Sequence, residues 1–160
     1  AGAFLLMGVG GPIMGGAFSD RLNRRCASGR PYAIILCLGL VAASKFVLYF
    51  MTGRVSLPIL FAYGLFDGLL TMMPLPIYFS MVQDVVEDRF RGGACGLMGG
   101  IIYLTGGAWG PLLVGFLSDV FGGGAEGLRM AELVLLVCLL FSMAVFALCI
   151  KPYAREKRHA

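Results

Sequence analysis

Three sets of ionisable residues interrupt an otherwise apolar sequence. Gly16-Ala17-Phe18-Ser19-Asp20-Arg21-Leu22-Asn23-Arg24-Arg25 places one acid among three arginines at the end of a glycine-rich run. Asp84, Glu87, Asp88, Arg89 and Arg91 form a second set, and Lys45 and Asp67 stand alone inside apolar stretches. Clustered charges of this kind make bonds that are strong when shielded from water and weak when wet. A lone acid inside an apolar segment costs about 2.5–3.5 kcal/mol on membrane-insertion scales and marks a functional site by default. Asp67 can bind a proton, pair a cation or touch a solute; the alternative is a neutral Asp bonded to a polar group of another helix. Lys45 is expected to snorkel to the nearer interface, the alternative being an ion pair with Asp67. Glu132 is expected to be interfacial. No nucleophile–base set, metal-ligand cluster or nucleotide loop is present, so the chain does not read as an enzyme and no cofactor or metal is expected. The five cysteines (Cys26, Cys37, Cys95, Cys138 and Cys149) have neither metal-site nor disulfide-framework spacing.

The elements that carry these residues follow from composition. The chain has 160 residues, 59% hydrophobic and 14% charged, against about 45–50% and about 25% in soluble domains. Mean hydropathy is +0.86. A membrane span needs about 20 mostly apolar residues, which leaves room for five helices and short connections. We place them at about 1–18, 32–52, 58–82, 93–117 and 128–150, with a tail at 151–160. The third contains Asp67 and the interruption Met73-Pro74-Leu75-Pro76, where two missing backbone donors predict a kink. The net charge of +4 sits in short clusters beside apolar runs and calls for no nucleic acid. The sequence opens at Ala1 inside an apolar segment, without Met or a charged leader, and reads as a chain missing its beginning.

Counting basic residues on alternate sides sets orientation. Ten of the 13 Lys and Arg lie in the first and third connections and the tail; Arg54 and Arg129 lie on the other side, and Lys45 within a span. Basic residues collect on cytoplasmic loops, so the C-terminus is expected in the cytoplasm of a multi-pass plasma-membrane protein. A repeat agrees with this count. Gly11-Pro12, Gly16 and Ser19-Asp20 recur at the same offsets as Gly110-Pro111, Gly115 and Ser118-Asp119. The first copy is followed by arginines and the second is not, so the two run antiparallel, as in an inverted-topology transporter repeat. Chance is the alternative, since these residues are common at helix ends.

The sequence resembles the major facilitator superfamily. The family's loop signature G-x-x-x-D-R-x-G-R-[RK] appears as Gly16, Asp20, Arg21, Asn23, Arg24 and Arg25, with Asn23 in place of glycine. Asn also tolerates the left-handed conformation that ends helices, so the turn is expected to survive. A second signature, an acid seven residues before Arg-Gly, appears as Asp84 and Arg91-Gly92; Glu87 stands where the family often has Pro. The resemblance implies an all-α membrane protein: five helices of a six-helix half-bundle, numbers eight to twelve of twelve. It also implies a cytoplasmic gating latch of Gly16, Asp20, Arg21, Arg24, Arg25, Asp84 and Arg91. In that latch Asp20 reaches the start of the fourth helix near Arg91, and Asp84 completes the charge chain. A solvated basic loop is the alternative. Gly110 to Asp119, followed by Gly127-Leu128-Arg129, looks like the spinster-like transporters, which include lysolipid and sphingolipid exporters.

By the same resemblance the third helix lines a transport cavity, with Asp67, Tyr103 and Trp109 as candidates for the substrate or proton site. The glycine faces at Gly8, Gly11 and Gly15, and at Gly96 and Gly110, are expected to stay uncovered here and to meet the missing N-terminal half. The expected partners are membrane lipid, that half, and a small organic or amphipathic solute with a coupling proton. The function so read is that of a secondary transporter fragment working by alternating access. The alternative is a non-transporting receptor or assembly subunit built on the same bundle.

Overall fold

The computed structural model describes residues 2–26, 28–104 and 109–156, and among them it contains helices and no strands. α1 spans Gly2–Asn23, α2 Gly29–Met51, α3 Leu57–Met72, α4 Pro74–Val85, α5 Arg91–Ile102, α6 Gly110–Val120 and α7 Gly124–Glu156. A single 3-10 turn, Asp88–Phe90, precedes α5. Three helical stretches among the described residues are long and apolar enough to cross a membrane: Gly29–Met51, Leu57–Val85 and Gly124–Glu156.

Several boundaries differ from expectation. α1 continues past Phe18 to Asn23, so Asp20 and Arg21 belong to its last turns. Arg21 there complements the negative end of the helix dipole. Asn23 does not end the helix in a left-handed conformation, because among the described residues only glycines have positive φ. The chain turns through Arg24 N–H to Asp20 C=O and Cys26 N–H to Leu22 C=O, at 3.0 and 3.1 Å. α2 starts at Gly29, so Arg30 and Pro31 lie in its first turn, where proline's missing N–H is not needed. A Cβ on Gly29 would collide with the backbone of Leu22 and Asn23; the tight approach of α1 to α2 requires glycine here.

The third span breaks at Met73, whose N–H reaches only Leu70 C=O, at 3.1 Å. Pro74 then opens α4. The fourth span is described in two parts: α5, which passes into a wider π turn at Tyr103 and Leu104, and α6, which starts at Gly110 with Pro111 in its first turn. α7 runs beyond Ile150 to Glu156, so the tail begins as helix. The start of α7 is set by Gly122, Gly123 and Gly124, with φ of 98°, 70° and 64°, a run of positive values that favours glycine.

α2 is the central helix and packs on α1, α3, α4 and α7; α6 packs on α7, and α5 on α4. Ala33, Ile34, Cys37 and Leu38 of α2 meet Met73 and Ile77 at the α3–α4 break, with Phe18, Leu139, Met143 and Phe146 around them. Phe61, Leu97, Phe116, Phe141 and Leu148 point outward. An outer surface this apolar is suited to lipid.

Candidate functional site

The bundle gathers its buried charges at two levels, with an apolar cavity between them. The first level lies where α1 ends, α2 begins, and α4 and α7 end. Arg30 of α2 is ion-paired with Asp84 of α4, donates from Nη1 to Ser80 C=O at 2.6 Å, and lies 3.7 Å from Asp20. The Tyr153 hydroxyl of α7 donates to Asp84. Asp84 is 17% exposed and Asp20 63%, so Asp84 carries the shielded bond and Asp20 the wet one.

The sequence points to Arg91 as the cation of this charge chain. In the structure the cation between the two acids is Arg30. Arg91 pairs with Asp88 at 2.5 Å and donates to Val86 C=O at 3.2 Å, because the 3-10 turn sets Asp88 three residues ahead of it. Arg21, Arg24 and Arg25 are exposed, and an added Cβ on Gly16 would meet nothing within 4 Å.

The second level lies toward the opposite end. Lys45 Nζ is 2.6 Å from Asp67 Oδ2, linking α2 to α3. The Ser44 hydroxyl donates to Asp67 Oδ1 at 2.8 Å, and Tyr63 caps Ser44 through its carbonyl at 2.9 Å. Asp67 is only 5% exposed. The snorkelling expectation for Lys45 is therefore corrected: a buried carboxylate on the adjacent helix offers the ammonium a stronger partner than the interface. Glu132 of α7 is corrected too. It is turned inward, with Oε2 3.8 Å from Lys45 Nζ. One turn before it, Arg129 donates to Tyr49 C=O at 3.2 Å and lies over the Tyr49 ring.

Between the levels, a cavity of about 310 Å³ is lined by Leu38 and Val41 of α2, Thr71 and Leu75 around the break, Tyr103 and Leu139. That is the lower end of the size range of small-molecule sites. The Thr71 hydroxyl donates to Asp67 C=O at 2.8 Å, so the cavity starts one helical turn from the buried acid. Asp67 and Tyr103 are thus brought to one region. Trp109, exposed at the start of α6, does not line the cavity.

The glycines divide. A Cβ on Gly11 or Gly15 would run into the backbone of Leu69 or Met73. Their face is taken up inside the bundle, against α3, rather than left open as expected; small residues let two helix backbones approach this closely. An added Cβ on Gly96 or Gly110 would meet nothing within 4 Å. The surroundings of Gly8 lie outside the described residues.

Arg30, Tyr153, Ser44 and Tyr63 join the site without being singled out by sequence reasoning, and Glu132, expected at the interface, joins it as well. The usable signal was for Glu132: a third ionisable group in an apolar span, as deep in its helix as Lys45 and Asp67 are in theirs.

The family model described as Major Facilitator Superfamily matches residues 1–160. No curated protein and no solved structure matches the chain.

Proposed function

Because the chain belongs to the major facilitator superfamily, and with it to the multi-pass membrane transporters, we propose that it moves a small organic or lipid-like solute by alternating access. The solute path runs through the cavity at the α3–α4 break, and a coupling proton is handled at the Lys45–Asp67 level. The observation that carries this reading is the cavity itself: it is almost wholly apolar, it opens beside a broken helix, and a buried acid sits one turn away. Irregular backbone at membrane depth is tolerated where it is packed in protein or lines a cavity. A largely apolar wall that includes Thr71 and Tyr103 suits an amphipathic solute.

In this reading the five spans are helices eight to twelve of the complete protein. The arginine-rich end faces the cytoplasm of the plasma membrane, a reading supported by the excess of basic residues on that side. The latch passes through Arg30, with Asp84 its principal acid and Asp20 a weaker one. The open faces at Gly96 and Gly110 meet the other half of the transporter.

The test is to fill the cavity. In proteoliposomes containing the complete protein and a fluorescent lysophospholipid, Leu75→Trp is expected to cut flux at least tenfold while membrane insertion is unchanged. Unimpaired flux with that substitution would remove the cavity from the path.

A further inference from the structure

Two carboxyl groups share one ammonium at the upper level. Lys45 is 2.6 Å from Asp67 and 3.8 Å from Glu132. The two acids are not equivalent. Asp67 accepts from Lys45 on one oxygen and from Ser44 on the other, so its negative charge is matched and solvated by the protein. Glu132 is 13% exposed, and its Oε2 has no hydrogen-bond partner among the described residues. A buried, unsolvated second negative charge beside an already neutralised pair is the costly arrangement.

The other charges near Glu132 do not change this balance. Arg129, on the same helix, is committed to Tyr49 of α2. α6, the other helix packed on α7, carries one ionisable group, Asp119, which is exposed near the α6–α7 turn. Glu126 is exposed in the first turn of α7. α2 faces Glu132 with Lys45, and α3 contributes Asp67, with Tyr63 behind Ser44.

We propose that Lys45, Asp67 and Glu132 form a proton-binding site in which the exchangeable proton resides on Glu132 and Asp67 stays ionised. This deepens the transporter reading and rests on it only for the use made of the proton. Release is a simple dissociation, the carboxylic acid giving a carboxylate and a proton. The new charge draws the ammonium, which has three donors, from Asp67 alone to a position between both acids. The movement needed is about 1 Å, the difference between 3.8 Å and an ordinary charged hydrogen bond. Proton loss thereby tightens α7 against α2, and proton gain loosens it.

The experiment is an infrared pH titration of the complete protein in lipid nanodiscs, following the carbonyl stretch of protonated carboxyl groups. Wild type is expected to show a protonated carboxyl that persists above the range of exposed acids. Glutamate-specific carbon-13 labelling is expected to shift its band, and aspartate-specific labelling to leave it in place; neither needs a variant. Glu132→Gln, which mimics the protonated form, is expected to abolish the band, and Asp67→Asn, which frees the ammonium for Glu132, to move its titration to lower pH. A band that follows the aspartate label, or survives Glu132→Gln, would overturn the assignment. Solute flux with no such band would overturn the proton site and leave the transporter reading standing. The band present in a protein that moves no solute would support the site and count against the transporter reading.

Discussion

At the scale of single residues, the decisive quantity is how well each buried charge is matched. Lys45 and Asp67 are mutual partners at 2.6 Å, with Asp67 5% exposed. Removing one member strands the other, which costs about 3–5 kcal/mol, whereas replacing both with apolar groups of similar volume is often close to neutral. Lys45→Met alone is therefore expected to lower the unfolding free energy in mixed micelles by about 3–5 kcal/mol. Lys45→Met with Asp67→Leu should cost less than the sum of the two single changes. Additive costs would mean that the pair contributes nothing as a pair. Asp67 was legible in the sequence because an acid amid apolar residues is conspicuous. Its pairing with Lys45 stood only as the alternative to snorkelling, since a lysine side chain reaches several ångströms and the sequence does not give the rotation of α2 against α3. Arg30 was hidden for a different reason. It lies beyond the arginine-rich signature and counted only as loop charge, until the close approach at Gly29 brought the start of α2 under α1.

At the scale of elements, the proline pair at 74 and 76 announced the break between α3 and α4, and the glycines announced close packing somewhere along α1. What the sequence could not say was which neighbour the glycines serve. Gly11 and Gly15 meet the backbone at Leu69 and Met73, so α1 lies against the broken span of its own bundle. A methyl group there has no room. Gly15→Ala is expected to lower stability by about 1–3 kcal/mol, the usual range for overpacking. Gly96→Leu, on the open side of α5, is expected to leave unfolding of the bundle unaffected and to impair solute flux in the complete protein. Equal thermal stability of wild type and Gly15→Ala in detergent would show that the α1–α3 contact gives way easily.

At the scale of the whole molecule, contacts fix which segments share an end without reference to a membrane. Asp20, Arg30, Asp84 and Tyr153 meet, so the first connection, the third connection and the end of α7 lie together. Gly53 faces Ala125, and Arg129 bonds Tyr49, at the other end. The grouping used to count basic residues is thus a geometric one. An impermeant maleimide added to intact cells is expected to spare Cys26, an exposed thiol of the first connection, and to label it after lysis. Labelling from outside would reverse the orientation.

The two charged levels have a mechanical consequence. Both cations, Arg30 and Lys45, belong to α2, 15 residues apart, or roughly 22 Å along a straight helix. Their acids, Asp84 and Asp67, stand 17 residues apart on the facing chain, roughly 25 Å if that chain were straight. The change of helix at Met73 and Pro74 lies between them. α2 is thus tied to the facing chain at one point on either side of that change, so a shift of α3 or α4 along α2 has to be absorbed at Met73 or at one of the two ion pairs.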